Sequence, residues 1–260
     1  MNRETCLEVN NLTVRFRSAT AEEILAVDGV SFTVRSGEVF GLVGESGCGK
    51  TTLAHCILRL LRADSGRIRF QGLDWSALEG KELRRQRRRI QMIFQDPATS
   101  LNPRMTVGQL VAEPLWIHRL GDNAGRSEKA IELLETVGLQ ADDASRKAAE
   151  FSGGQRQRIA IARALALEPE LLIADEPVSS LDRTAQGEIL ELLDRMQSEF
   201  QLTTLFITHN LKLVRKFCQR VAVMFHGRLV EIAETETLFE EASHPYTKVL
   251  LGTAGPDSPV

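Results

Sequence analysis

The chain has 260 residues, 43% hydrophobic and 26% charged, and its 32 basic and 35 acidic side chains give a formal net charge of −3. This is the composition of a globular protein of one or two domains, and it excludes several classes. No apolar run approaches the ~18 residues of a membrane span, and the N-terminus lacks the apolar segment of a secretory signal. The four cysteines form no C-x-x-C pair, which argues against a disulfide framework or a zinc site. We therefore expect a cytosolic location.

The predicted elements alternate between strands and helices. Alternating or short apolar runs predict strands at residues 7–9, 12–16, 30–34, 39–43, 67–70, 171–174, 203–207 and 221–225. Helical spacing predicts helices at residues 50–61, 127–137 and 155–167. The polar segment Arg17–Glu23 is predicted to be a loop, and Gly252–Val260 a disordered tail. The order favours an α/β fold with a largely parallel sheet, interrupted by a mostly helical insertion at residues 100–165.

A basic run, Lys81–Arg89, places six basic residues in nine positions. A nucleic-acid patch is one interpretation. The chain is slightly acidic, however, and no aromatic side chains lie among the arginines to stack on bases. We therefore favour a solvated helix face and expect no nucleic-acid partner.

The segment Gly44–Thr51 fits the pattern G-x-x-x-x-G-K-[ST] between a predicted buried strand and a predicted helix. Backbone N–H groups of such a loop turn inward on phosphate oxygens, and the positive end of the helix adds to the attraction. Lys50 is expected to reach the β- and γ-phosphates, and the Thr51 hydroxyl to bind Mg²⁺. The predicted nucleotide contacts are Gly44, Glu45, Ser46, Gly47, Cys48, Gly49, Lys50, Thr51 and Thr52. The guanine-reading N-K-x-D pattern is absent, so ATP is the expected nucleotide.

A second nucleotide element follows the predicted strand at residues 171–174, which ends in Asp175 and Glu176. Open α/β sheets bind their ligands at this end of a strand. Asp175 is expected to hold Mg²⁺ through water, and Glu176 to act as general base or to orient the attacking water. Because an apolar strand followed by two carboxylates is common, this prediction depends on the phosphate loop.

A third element opens the helix that ends near Leu167. Ser152 is a predicted N-cap, and Gly153 and Gly154 expose backbone N–H groups at the start of the helix, which makes a second anion site. One triphosphate does not need two such sites in one chain. We therefore expect this site to face the γ-phosphate bound to a partner subunit.

These motifs, in this order, resemble those of the ATP-binding subunits of ABC transporters, whose signature is L-S-G-G-Q; here Phe151 replaces the leucine. The resemblance spans about residues 7–250. It implies a P-loop NTPase fold of ABC type, α/β with a mixed sheet core and an inserted helical subdomain. The implied nucleotide-binding domain is residues 1–232, with the helical subdomain at about 96–165, and residues 233–260 form a short C-terminal extension and flexible tail.

The resemblance also implies roles for single residues. Gln95 would contact Mg²⁺ and report on a transmembrane partner, and Gln155 belongs to the signature that faces ATP. Asp182 would cross a dimer interface, and His209, 33 residues beyond Glu176, would contact the γ-phosphate. Phe16 would stack on adenine, with an ordinary core position as the alternative. The implied catalytic residues are thus Glu176, His209 and Gln95, and the implied Mg²⁺ ligands Thr51, Gln95 and Asp175. Asn210 departs from the family's usual Asp, so we expect a local hydrogen-bonding difference there.

Two further segments, Gln95–Arg104 and His244–Leu251, resemble the oligopeptide, dipeptide and nickel importer branch. With Leu205–Val221 and a short tail that has no cysteine after Cys218, the sequence looks most like the second, E-type ATP-binding subunit of nickel importers. This implies ATP-driven uptake of nickel or a nickel chelate, with a dipeptide or oligopeptide as the alternative. The cysteines and the five histidines are scattered, so we do not expect this chain itself to bind nickel.

The implied partners are two membrane permease subunits, a second and paralogous ATP-binding subunit and, indirectly, a substrate-binding protein. The implied location is peripheral, on the cytoplasmic face of the cell membrane. One rival is a DNA-maintenance ABC ATPase, which separates the two motifs by a long coiled coil. Here only 102 residues separate Lys50 from Ser152, with no sustained heptads. The other rival, a decayed scaffold, is disfavoured because competent residues fill every catalytic position.

Overall fold

A computed structural model describes residues 4–17 and 23–252. The strands are β1 (Thr5–Arg17), β2 (Glu23–Arg35), β3 (Val39–Val43), β4 (Ser65–Phe70), β5 (Leu73–Asp74), β6 (Ile90–Ile93), β7 (Leu171–Asp175), β8 (Thr203–Thr208), β9 (Arg220–Phe225) and β10 (Arg228–Glu234). The helices are α1 (Lys50–Ile57), α2 (Gly80–Gln86), α3 (Pro97–Ser100), α4 (Val107–Ile117), α5 (Asn123–Thr136), α6 (Gly153–Leu165), α7 (Arg183–Glu199), α8 (Leu211–Phe217), α9 (Thr235–Glu241) and α10 (Pro245–Leu251). The chain divides into two compact units.

The first unit comprises Met1–Leu78 and Thr203–Val260. In it, β1, β2, β4 and β5 form an antiparallel sheet in the order β2-β1-β4-β5. β3 lies between β8 and β9 and is parallel to both, while β10 is antiparallel to β9. β3 and β8 are buried throughout, as strands covered on both faces are. Parallel and antiparallel pairs occur together, so the sheet is mixed.

The second unit, Glu79–Leu202, contains a parallel pair of strands and a group of helices. In β6 and β7, Ile93 lies opposite Ala174. Helices α3, α4, α5 and α6 pack on one another. The Arg163 guanidinium of α6 donates to the Ser100 carbonyl of α3 at 2.9 Å and to the Glu113 carboxylate of α4 at 2.7 Å. The helical insertion expected from the sequence is therefore present, whereas the predicted domain boundaries stay a prediction.

One helix is shorter than its apolar spacing predicts. The pattern at residues 50–61 predicts a helix to Leu61, but α1 ends at Ile57. Arg59 has a left-handed backbone, with φ of 57°, which an α-helix does not accommodate. Its guanidinium donates to the carbonyls of Trp75, Ser76 and Leu78 at 2.5, 2.5 and 3.1 Å. These tertiary hydrogen bonds favour the turn.

The predicted loop and tail fall largely outside the described residues. Strand β1 ends at Arg17 and β2 begins at Glu23, and these two residues pair with each other. The loop prediction is therefore limited to residues 18–22, which lie outside the described residues. The disorder predicted for the tail concerns residues 253–260. Gly252 ends α10 in a left-handed conformation with φ of 72°, which suits glycine.

The basic run forms α2 and the short 3-10 turn that follows it. Lys81, Arg84, Arg85 and Arg88 are exposed to solvent, as expected of a solvated helix face. Among the helices described, none is both long and apolar enough to span a bilayer.

Candidate nucleotide-binding site

The phosphate loop, residues 44–51, connects β3 to α1 in the first unit. Gly44 and Gly49 have positive φ values of 156° and 109°. A Cβ atom at Gly44 would collide with the Met224 carbonyl oxygen, and one at Gly49 would collide with the Ala26 carbonyl oxygen. Neither position can carry a side chain without displacing backbone, so both glycines are required by packing as well as by conformation.

Lys50 is held inside this loop. Its side chain is 6% exposed, and its Nζ donates to the carbonyls of Gly44 and Glu45, each at 2.8 Å. Two carbonyl dipoles thus stabilise the buried ammonium group and fix its position at the start of α1. Glu45, Ser46 and Gly47 are exposed on this loop. A buried cation beneath exposed loop positions is the arrangement expected of an anion site, and this role stays a prediction.

Backbone groups of the loop also form hydrogen bonds with other parts of the first unit. The Cys48 carbonyl accepts a hydrogen bond from the Gly227 N–H at 3.0 Å, in the turn between β9 and β10. The Glu45 N–H donates to the Tyr246 hydroxyl at 3.3 Å. The Cys48 thiol is buried, which raises its pKa. The sequence identified the loop but gave no sign of either contact.

His209 lies at the same edge of the sheet as the loop. β3 and β8 are parallel, with Val43 opposite Thr208, so Gly44 and His209 each follow a paired residue. His209 is exposed. Asn210 caps α8, with its side-chain oxygen accepting from the Lys212 N–H at 3.1 Å. Because an Asp carboxylate could accept the same hydrogen bond, the difference expected from Asn210 stays a prediction.

The other nucleotide contacts predicted in the first unit lie at exposed or half-buried positions. Thr51 is exposed and Thr52 half-buried in the first turn of α1. Phe16 is 40% exposed in β1, next to Ile24 of β2, so it is not a core residue. An exposed aromatic ring is what adenine stacking requires, and its role stays a prediction.

In the second unit, two acidic residues end β7. Asp175 is 2% exposed and Glu176 is 9% exposed. Glu176 has a left-handed backbone, with φ of 50°, a conformation that costs energy in a non-glycine residue and is found preferentially at functional sites. Gln95 follows β6, and since Ile93 lies opposite Ala174 in the parallel pair, Gln95 and the two acidic residues share one edge. Gln95 is exposed.

The predicted second anion site is the N-terminus of α6. Ser152 is its N-cap, accepting from the Gln155 N–H at 3.3 Å, while the Gln155 side chain accepts from the Ser152 N–H at 3.0 Å. Ser152 and Gly153 are exposed, whereas Phe151 is buried beneath the Arg146 guanidinium. The replacement of the family's leucine thus preserves an apolar anchor behind a solvent-facing helix end.

Asp182 lies at the beginning of α7. Its carboxylate accepts hydrogen bonds from the N–H groups of Thr184 and Ala185, each at 3.0 Å. It is exposed. Asp182 is therefore an N-cap in this chain, and the contact predicted for it across a dimer interface stays a prediction.

Comparison with known proteins gives the family. Residues 27–179 match the family model described as "ABC transporter". The chain is 49% identical over 254 residues to the putative oligopeptide transport ATP-binding protein YkfD of Bacillus subtilis, covering 97% of this chain and 77% of the relative. It is 47% identical over 260 residues to the oligopeptide transport ATP-binding protein OppF of Streptococcus mutans, covering 100% of this chain and 84% of the relative.

The fold has close counterparts among solved structures. One is the ATP-binding cassette MJ0796, described as a dimer in a post-hydrolysis state bound to ADP and Pi. It is 30% identical, has a TM-score of 0.80 and covers 88% of this chain and 98% of its own. The fold is that of an ABC ATPase cassette. The chain belongs to the ABC transporter family and is one of its ATP-hydrolysing subunits.

Proposed function

We propose that this chain is the ATP-hydrolysing subunit of an importer of oligopeptides. The observation that carries the proposal is identity of 47–49% over at least 97% of the chain with relatives named for oligopeptide transport. The Gln95–Arg104 and His244–Leu251 segments, which resemble the peptide and nickel importer branch, agree with this proposal. The nickel prediction has no such support, so the peptide alternative replaces it.

In the proposed mechanism the phosphate loop binds the triphosphate of ATP. The Lys50 ammonium group donates to two loop carbonyls in this structure. With ATP bound it would contact the β- and γ-phosphates, and backbone N–H groups of the loop would bind the remaining phosphate oxygens. Phe16 would stack on adenine. Glu176 would accept the proton of the attacking water, and His209 would hold the γ-phosphate in line for that attack.

Magnesium fits the donors at these positions. Thr51, Gln95 and Asp175 supply hydroxyl, amide and carboxylate oxygens, the ligands that Mg²⁺ prefers. Bound Mg²⁺ would neutralise charge on the phosphates. Asp175 is almost wholly buried, and its carboxylate would be one of the groups that hold the ion.

The α6 N-terminus supports a site shared between two chains. Ser152 and Gly153 are exposed, and a helix N-terminus attracts phosphate. A second, paralogous ATP-binding subunit would present the same helix end to the ATP bound here, and Asp182 would lie at the contact. Two ATP molecules would then be enclosed between the subunits.

A groove in the second unit supports docking of a membrane permease subunit. The groove, of about 210 Å³, is lined by residues that include Met92, Phe94, Pro114 and Ile117. Phe94 and Ile117 are exposed. In this proposal, these exposed apolar side chains would contact the permease. Two such permeases would hold the pair of ATPases at the cytoplasmic face of the membrane, with a substrate-binding protein delivering cargo on the other side.

The test is transport by vesicles that contain this chain with the membrane subunits and second ATPase that copurify with it. We expect ATP-dependent uptake of an oligopeptide. Uptake of Ni²⁺ without peptide uptake would overturn the peptide assignment, and uptake of dipeptides alone would narrow it. The DNA-maintenance rival is disfavoured because α5, at 14 residues, is the longest helix between Lys50 and Ser152.

A further inference from the structure

The segment that follows β10 returns to the phosphate loop. Tyr246, the second residue of α10, is 2% exposed, and its hydroxyl accepts a hydrogen bond from the Glu45 N–H at 3.3 Å. Its ring packs on Phe225 at the end of β9, with 4.0 Å between ring centroids. Tyr246 thus contacts the loop that is proposed to bind ATP, although it lies 201 positions from Glu45 in the sequence.

A network of hydrogen bonds fixes the start of α10. The Glu231 carboxylate accepts from the Ser243 N–H at 2.7 Å, from the Ser243 hydroxyl at 2.8 Å and from the His244 N–H at 3.0 Å. The His244 Nδ1 accepts from the Tyr246 N–H at 3.1 Å, and Pro245 occupies the first turn of the helix. The Tyr246 hydroxyl is therefore placed by a capped helix start and by packing.

One peptide group connects the hydrogen bond of the Glu45 N–H with the hydrogen bond that holds Lys50. The Glu45 N–H and the Gly44 carbonyl belong to the same planar trans peptide, so they point in opposite directions. Tyr246 accepts from the N–H on one side, and the Gly44 oxygen accepts from Lys50 Nζ at 2.8 Å on the other. Anchoring the N–H thereby orients the carbonyl that holds the ammonium group.

We propose that Tyr246 is a positioning residue for the phosphate loop, which sets the orientation of the Gly44–Glu45 peptide and hence the position of Lys50. The segment after β10 then contributes to ATP affinity without touching the nucleotide. This inference rests on the proposed role of the loop as the ATP site. A residue other than proline at position 45 is required, because proline has no N–H to donate.

The test is Tyr246→Phe in the full chain, which removes the hydroxyl and keeps the ring against Phe225. We expect the Kd for ATP to rise about threefold to tenfold, the equivalent of one hydrogen bond. In the assembled transporter the KM for ATP should rise similarly while kcat changes little, since a uniformly weaker site affects binding alone. Amide hydrogen exchange in peptides containing Glu45 should become faster.

Thr235→Val is the matched control. The Thr235 hydroxyl is also buried and makes one hydrogen bond to a backbone group, the Cys218 carbonyl, at 2.8 Å. We expect this variant to lose stability without any change in the Kd for ATP. An equal rise in Kd for the two variants would assign the effect to general destabilisation and overturn the inference.

Two outcomes separate this inference from the proposed function. If the unmodified chain binds ATP and Lys50→Ala does not, the loop is the ATP site, and an unchanged Kd and unchanged exchange in Tyr246→Phe would then overturn the positioning role alone. If Lys50→Ala has the same Kd for ATP as the unmodified chain, the loop is not the ATP site. The proposed role of the loop and the positioning role of Tyr246 would then both be wrong.

Discussion

The phosphate loop and the N-terminus of α6 are both glycine-containing turns that open a helix, yet their surroundings differ. The loop is fixed from several sides: carbonyls hold Lys50, and the turn between β9 and β10 and Tyr246 hold its backbone. The end of α6 is capped by its own Ser152 and Gln155, and Ser152 and Gly153 are exposed. The difference fits the proposal that the loop binds ATP within this chain, whereas the end of α6 would contact ATP bound to a second subunit.

The largest effect is expected at Glu176, the proposed general base for ATP hydrolysis. Glu176→Gln should lower ATPase activity of the assembled transporter by about 10²- to 10⁴-fold, because the general base is lost while the side chain keeps its shape. ATP should stay bound, so ATP-containing dimers should accumulate in size-exclusion chromatography. Glu188→Gln, which removes an exposed carboxylate paired with Arg158 at 2.8 Å, is the control and should remain active. Activity retained by Glu176→Gln would remove this residue from its role.

The next effect separates the two sites directly. Ser152→Arg should leave the Kd of the isolated chain for ATP unchanged but lower turnover of the complex by about 10²-fold or more, as removal of a preorganised anion donor does. Because Ser152 also caps α6, the variant loses about 1 kcal/mol of stability. Asp122→Ala removes the cap of α5, whose carboxylate accepts from Gly125 N–H at 2.9 Å, and controls for that loss. Normal activity in a complex with Ser152→Arg in both subunits would contradict the shared site.

A third test concerns the packing that makes the loop rigid. Gly49→Ala should lose about 3 kcal/mol or more of unfolding free energy, since it adds a collision with the Ala26 carbonyl to the cost of a left-handed backbone. Gly72→Ala also places a methyl group at a positive φ, 73° against 109° at Gly49, but in open space, so it should lose only about 1–2 kcal/mol. Urea unfolding of both variants measures the difference. Equal losses would show that conformation alone, and not close packing, requires glycine at position 49.

The smallest effect concerns the anchor of α10. Burial acts to raise the pKa of Glu231, but hydrogen bonds from Ser243 and His244 outweigh it, so the pKa is lowered. A lowered folded-state pKa contributes stability above the unfolded pKa of about 4.3, and that contribution disappears as the pH falls through the folded value. The Tm difference between the unmodified chain and Glu231→Gln should therefore be present at pH 7 and shrink under acidic conditions. A difference that is independent of pH would contradict this account.

Local sequence predicted most of the strands and three of the helices, because these signals are short-range. The alternation in β2, the buried runs of β3 and β7, and the glycine and serine at the ends of helices predicted the strands and the loop-to-helix turns. The mixed sheet, the helical insertion and the ABC family membership expected from these motifs are confirmed. The error at the end of α1 arose because Arg59 bonds to carbonyls 16 to 19 residues away, which no helical pattern contains.

The sequence by itself determined which chemical groups the protein has for binding ATP, since the phosphate loop, the acidic end of β7 and the α6 N-terminus are contiguous motifs. Only the tertiary structure decided what surrounds them. It brought His209 to the edge that carries the phosphate loop through the register of β3 with β8, and it brought Tyr246 to the Glu45 N–H. Such contacts join residues more than 150 positions apart, and they form because folding buries apolar strands and rings together, a constraint that local periodicity does not encode.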